Sequence, residues 1–176
     1  LASGKIKWVV FDNDGDLDIL LAGNNGTSDF TCIFENSYGN FIEVYISSLS
    51  DMSSPALDWG DYDNDGDIDI FIANYGASPR LYRNDGGNKQ HYLGVSLKGK
   101  SPNTEAIGAR VYVTAEGITQ MRELRAGSNF ESQNPVAAHF GLADATSVDV
   151  LRIVWPDGKI KIIHDVAVDQ VKSFEQ

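Results

Sequence analysis

The sequence predicts an all-β protein: two partial β-propeller-blade-like antiparallel sheets followed by a C-terminal β-sandwich domain. Three observations predict it. Short runs of β-branched and aromatic residues alternate with Gly-, Asn- and Asp-rich breaks, and little of the chain carries a helical period. A segment of the first half repeats itself 51 residues later. Beyond about Asn88 the repeat stops and half-buried alternation takes over. These observations divide the chain into two domains, residues 1–89 and 90–176.

Trp8-Val9-Val10-Phe11-Asp12-Asn13-Asp14-Gly15-Asp16-Leu17-Asp18-Ile19 matches Trp59-Gly60-Asp61-Tyr62-Asp63-Asn64-Asp65-Gly66-Asp67-Ile68-Asp69-Ile70. The tails match as well, Ile33-Phe34-Glu35-Asn36 against Leu81-Tyr82-Arg83-Asn84, with the spacing shortened by three. A period near 50 suits one small antiparallel sheet per repeat. Strands are expected at Ile6–Phe11, Leu17–Ala22, Phe30–Glu35 and Phe41–Ile46 in the first unit. In a second, incomplete unit they are expected at Ile68–Ala73 and Pro79–Arg83, with a strand-like flank at Leu57-Asp58-Trp59. The C-terminal domain reads as strands at Tyr92–Leu97, Ala109–Ala115, Thr119–Leu124, Val148–Trp155 and Lys159–Ile163. Trp155-Pro156-Asp157-Gly158-Lys159 reads as a tight turn, proline presetting its φ and glycine tolerating positive φ. Ala138–Leu142 reads as a strand end and a turn, and Ala143–Ser147 as one turn of helix.

Net charge is −11, and its placement says more than its size. Residues 1–90 hold 15 acids against 5 bases; residues 91–176 hold 10 against 9. Nine of the acids are the aspartates of two short loops. The acidity is therefore local, and no basic face is present for nucleic acid. No apolar run is long enough to span a membrane. The chain begins at Leu1 rather than Met and carries no signal peptide, which reads as a mature or trimmed fragment. The lone cysteine, Cys32, has no internal partner for a disulfide and reads as a buried strand thiol.

The second acidic loop carries the chemistry. Asp61, Asp63 and Asp65 alternate, Gly66 permits a sharp bend, and Asp69 closes the loop, with Asp67 offering its backbone carbonyl. Calcium takes 6–8 oxygens at roughly 2.3–2.6 Å and accepts irregular geometry. Magnesium needs a tighter octahedron, and zinc needs nitrogen or sulfur ligands that the loop lacks. An EF-hand would place a glutamate where Ile72 stands and helices on both sides, so this is a hairpin-loop site. Single Asp-Gly turns are ordinarily just solvated. Five carboxylates within nine residues, with no Lys or Arg among them, repel one another unless a cation intervenes. The first loop offers Asp12, Asp14, Asp16 (by its carbonyl) and Asp18 in the same register, but Val10 stands where the second has Asp61. That site is expected to be weaker.

His91, His139 and His164 lie far apart in sequence and read as structural. No nucleophile elbow, phosphate loop or dinucleotide fingerprint is present, so no catalytic residue is assigned and the chain is not expected to be an enzyme. Arg110, Arg122 and Arg125 read as a solvated sheet face, and Trp8 and Trp59 as blade packing. Asn25-Gly26-Thr27 is a glycosylation sequon.

Residues 61–69 and 81–84 resemble the FG-GAP or VCBS-type repeat of integrin-α-like propellers. His91-Tyr92-Leu93, Ile107-Gly108-Ala109-Arg110-Val111, Arg125-Ala126-Gly127-Ser128, His139-Phe140-Gly141-Leu142 and Val154-Trp155-Pro156-Asp157-Gly158-Lys159 resemble the ASPIC and UnbV domain. The resemblance implies Ca2+ in the repeat loops, an extracellular or cell-surface setting, and adhesion or recognition rather than catalysis. Two blades cannot close a ring, so the chain is expected to be a fragment of a longer propeller, or else its exposed sheet edges pair with another chain. Two functions compete: a calcium-stabilised adhesion or protein-interaction module, and a calcium-dependent carbohydrate-binding module.

Overall fold

The computed structural model describes residues 3–46, 48–49, 51–52, 55–63, 65–74, 78–85, 90–127 and 137–176. Ser128 and Asn64, both quoted above, lie outside the described residues, as do Gly86 and Gly87. Among the described residues the fold is all-β, with strands in four sheets and no helix. Contacts divide the chain into two compact units, Leu1–Asp12 with Asp16–Asn88, and Asn13–Gly15 with Lys89–Gln176.

In the first unit β1 (Ser3–Val9), β2 (Asp18–Asn24), β3 (Asp29–Ser37) and β4 (Asn40–Val44) form an antiparallel meander in chain order. A second meander follows: β5 (Pro55–Gly60), β6 (Asp69–Asn74) and β7 (Arg80–Tyr82). β1 ends two residues earlier than expected, because the loop claims Val10 and Phe11. Register assigns the faces. Leu20 pairs with Ile33 and Ala22 with Thr31, so these side chains share one face of the first sheet. Trp8, Ile19 and Phe34 share the other. In the second sheet Trp59, Ile70 and Tyr82 line up across the strands, with Leu57 beside Ile72.

One core fills the first unit. Val9, Leu20, Ala22 and Ile33 of the first sheet cluster with Leu57, Ile70 and Ile72 of the second. Fully burying such an aliphatic side chain contributes about 1.5–3 kcal/mol. The two repeats therefore bury opposite faces. Trp59 packs against this core as expected, whereas its counterpart Trp8 stays half exposed and touches Phe41 at 6.2 Å between ring centroids.

The second unit is a two-sheet sandwich. One sheet orders β10 (Ile118–Glu123), β9 (Arg110–Ala115), β12 (Ser147–Val154) and β13 (Ile160–Ala167). The other orders β11 (Ala137–Ala143), β8 (His91–Lys98) and β14 (Gln170–Glu175), with β14 parallel to β8. Val111, Val113, Leu151 and Ile153 of the first sheet meet Leu93, Val95, Phe140 and Phe174 of the second in one core. The turn at Trp155 is closed by Trp155 N–H to Lys159 O and Gly158 N–H to Trp155 O, with Gly158 at φ +84°.

Several expectations need correction. Ala143–Ser147 is not a helical turn: Ala145 N–H bonds to Leu142 O in a tight turn, Ala143 sits at φ +51°, and β12 begins at Ser147. Ala138–Leu142 is the interior of a buried strand, its Gly141 tolerated inside a paired ladder. The three arginines do not form one solvated stripe. Arg110 and Arg125 both reach Glu123, while Arg122 is half-buried over the Phe140 ring at 5.3 Å. Burial lowers the Arg122 pKa. Cys32 is half-buried rather than buried, and burial raises its thiol pKa, followed by the Glu43 and Asp51 charges.

Candidate metal centre

The second acidic loop joins β5 to β6, two adjacent antiparallel strands, so its ends are fixed at ladder spacing. Gly66 takes φ +95° at the bend, and Gly15 takes φ +97° at the matching point of the first loop. Both positions are left-handed, which glycine adopts without steric cost.

Hydrogen bonds within the second loop organise it. Gly66 N–H donates to Asp61 Oδ2 at 3.2 Å, and Asp67 N–H donates to Asp65 Oδ1 at 2.9 Å. The other Asp61 oxygen is shielded from solvent. Asp61, Asp63 and Asp65 bring one carboxylate oxygen each within 4.8 Å of the others. Two oxygens bound to one calcium at 2.3–2.6 Å lie at most about 5 Å apart, so the trio fits that cation. The donors are all oxygen, which suits a hard ion.

Asp69 and Asp18 are placed differently. Each buried carboxylate accepts two backbone hydrogen bonds, one per oxygen. Asp69 Oδ2 accepts from Tyr62 N–H at 2.7 Å, and Oδ1 from Asn84 N–H at 2.8 Å. Asp18 does the same with Phe11 N–H at 2.8 Å and Asn36 N–H at 2.8 Å. Each is a pin that ties the start of the loop to the end of the sheet's third strand. Each oxygen keeps a second lone pair, so the pin leaves room for an added cation. Burial above all raises the Asp18 pKa to about 6, against the two backbone donors, which lower it.

Among the described residues no second trio of potential ligands lies as close as Asp61, Asp63 and Asp65. Asp12, Asp14, Asp16 and Asp18 are all described and are not drawn together in that way. Val10, the departure from the pattern, is buried, its side chain given to packing rather than to a ligand position. Asp67 is itself buried, while Asp63 and Asp65 face solvent.

Sequence reasoning missed one member of the site. Arg83, just past β7, places Nη1 3.7 Å from Asp63 Oδ2 and also pairs with Asp85. Its pKa is raised chiefly by Asp85, with Asp63 and Asp65 contributing. The tail motif held the clue, since Arg83 stands where the first repeat has Glu35. A fixed cation beside the trio opposes a second one. Arg83→Ala should tighten calcium binding about threefold, as expected for one solvent-screened like charge removed. Calorimetric titration checks this, and unchanged affinity would remove Arg83 from the site.

Residues 11–72 match the family described as FG-GAP-like repeat, and residues 99–176 match ASPIC and UnbV. The chain carries an FG-GAP-like repeat and an ASPIC and UnbV domain. The FG-GAP-like match runs from the first acidic loop through the second and into β6. The chain is also similar to cartilage acidic protein 1 of Mus musculus, 29 % identical over 119 residues, and to that of Xenopus tropicalis at the same identity and length. The aligned part is 64 % of this chain and 18 % of either relative, so the chain matches less than a fifth of their length. Neither family description nor the relatives' name is that of an enzyme.

Proposed function

We propose that this chain is a non-catalytic extracellular adhesion or protein-interaction module whose second acidic loop holds a structural calcium ion. The observation that carries this reading is the convergence of Asp61, Asp63 and Asp65 on one point. Asp69 and the Asp67 carbonyl complete the proposed ligand set, and the first loop, Asp12 to Asp18, is proposed as a weaker site. The FG-GAP-like match and relatives named for cartilage support the extracellular setting and the recognition role. No helix among the described residues is long and apolar enough to cross a membrane.

The loop is already framed by its own hydrogen bonds, so calcium adds to a hairpin rather than creating one. Calcium that binds only the folded state adds RT ln(1 + [Ca]/Kd), about 1.8 kcal/mol at a twentyfold excess. Chelator-treated protein should bind calcium with measurable heat and melt several degrees higher in millimolar calcium than in chelator. Asp65→Ala should abolish most of that shift. Equal melting temperatures in calcium and chelator would overturn the reading.

One observation favours a second reading, calcium-dependent carbohydrate binding. Tyr62 lies between two of the converging aspartates and is 68 % exposed, open for stacking on a sugar ring. A glycan array run with and without chelator separates the two. Calcium-dependent sugar binding that Tyr62→Ala removes would put this reading first.

A further inference from the structure

The turn between β2 and β3 carries the one Asn-Gly pair of the sequence, Asn25-Gly26. The strand ladder stops at Asn24 and Asp29, and residues 25–28 between them are exposed. Asn25 N–H donates to Ser28 O at 3.1 Å, and Gly26 sits at φ +101°. Having no Cβ, Gly26 adopts that angle without cost and leaves its backbone nitrogen unshielded.

Hydrogen bonds hold both groups of this pair. Asn25 Oδ1 accepts three, from Thr27 N–H at 2.9 Å, Thr27 Oγ at 2.8 Å and Ser28 N–H at 2.9 Å. The ring that the Thr27 N–H closes encloses Gly26, so the Asn25 carboxamide is folded forward over the Gly26 backbone. Gly26 N–H donates in turn to Asn24 Oδ1 at 2.7 Å, and Asn24 Nδ2 donates to Asp29 Oδ1 at 2.6 Å. Hydrogen bonds in a chain polarise one another, so the Asp29 carboxylate makes Asn24 Oδ1 a stronger acceptor for the Gly26 proton.

We propose that this turn is a self-modifying site, at which Gly26 N displaces ammonia from the Asn25 carboxamide and the folded turn speeds the reaction. The Gly26 nitrogen attacks Asn25 Cγ, and its proton passes through water to the leaving group. Negative charge develops on Oδ1, where three donors already point. The Cγ–Nδ2 bond then breaks, ammonia departs and a succinimide ring remains. Water opens the ring at one of its two carbonyls. Opening at the backbone carbonyl gives isoaspartate; opening at Cγ restores the normal backbone with aspartate in place of Asn25. An aspartate oxygen accepts from the same three donors, so that product keeps the turn and adds a negative charge. Its one loss is the 3.3 Å contact from Asn25 Nδ2 to Ser28 Oγ. Isoaspartate lengthens the main chain and misaligns the donors. The proposal does not rest on the calcium reading.

Peptide mapping by mass spectrometry tests it on the full chain, made in a host that adds no N-glycan. The chain is held at neutral pH and one temperature, folded in buffer or unfolded in urea. Asn25 should convert about tenfold faster folded than unfolded, less than the roughly 10²–10³ that one donor is worth in a water-excluded site. The other asparagines, none followed by glycine, are internal controls. Thr27→Ala removes one donor to Oδ1 and should slow the folded reaction about fivefold while leaving the rate in urea unchanged. Thr27→Ser keeps the hydroxyl and should match the wild type. Circular dichroism confirms that both variants keep their strands. A folded chain whose Asn25 converts no faster than in urea overturns the proposal, because the turn would then shelter the amide. So does a folded Thr27→Ala chain that converts at the wild-type rate, because the donors would carry no weight.

Discussion

Replacing Asp69 with alanine should destabilise the first unit by about 2–4 kcal/mol in chelator, before any calcium effect is counted. The carboxylate is 1 % exposed and accepts from Tyr62 N–H and Asn84 N–H. Alanine leaves both donors without that acceptor, and an unsatisfied buried donor costs about 1–3 kcal/mol. Asp69→Asn should cost less, because its amide oxygen still serves one donor. In calcium the alanine variant should also lose the cation's contribution, so its deficit against wild type should widen. Asp63→Ala should behave oppositely, nearly neutral in chelator and deficient only in calcium, since Asp63 faces solvent and belongs to the trio. Urea unfolding in both conditions checks the pair. If Asp69→Ala matched wild type in chelator, the pin would have no energetic weight and Asp69 would be a ligand alone.

This division of labour among aspartates marks the limit of what the sequence shows. Spacing made the loop legible: alternate acids and a glycine at the bend led directly to Asp61, Asp63 and Asp65. Spacing could not separate a ligand from a pin. Asp69 fits the period of the acidic run, yet its partners are backbone amides, one of them 15 residues away at Asn84. The second strand pairing that fixes Asn84 there is not a local property. The fold was legible for a similar reason. Alternation marked β8, β9 and β12, whose inward residues recur every second position. It marked β11 poorly, because that strand is buried almost throughout and contains Gly141. It gave no sign of β14, in which Phe174 alone is buried and which pairs in parallel with β8, far earlier in the chain. The repeat made Trp8 and Trp59 look equivalent. They differ because the first sheet covers that face of the second, whereas Trp8 lies half exposed beside Phe41.

Acid should weaken the second unit through His139. The ring is buried on β11, stacked on Tyr92 with centroids 5.6 Å apart and planes 10° from parallel. Burial first, and the Arg122 charge second, lower its pKa from 6.5 to about 4. The unfolded chain therefore takes up a proton near pH 6.5, whereas the folded unit resists until about pH 4. Between these values the unfolded state binds more protons, so stability is whole above pH 6.5 and declines as pH falls through the window. The full decline is about 3 kcal/mol at 1.36 kcal/mol per unit. Asp18 in the first unit runs the other way. Its folded pKa of about 6 lies above the usual 3.8, so the folded state binds more protons between those values and gains stability as pH falls. Amide exchange in chelator, followed in β8 and β11 and separately in β2, should show the two units diverging between pH 6.5 and 4. His139→Gln should flatten the decline in β8 and β11 and leave the β2 trend alone. Parallel pH dependence in wild type and variant would mean that the folded unit accommodates a charged imidazole, contrary to the buried stack on Tyr92.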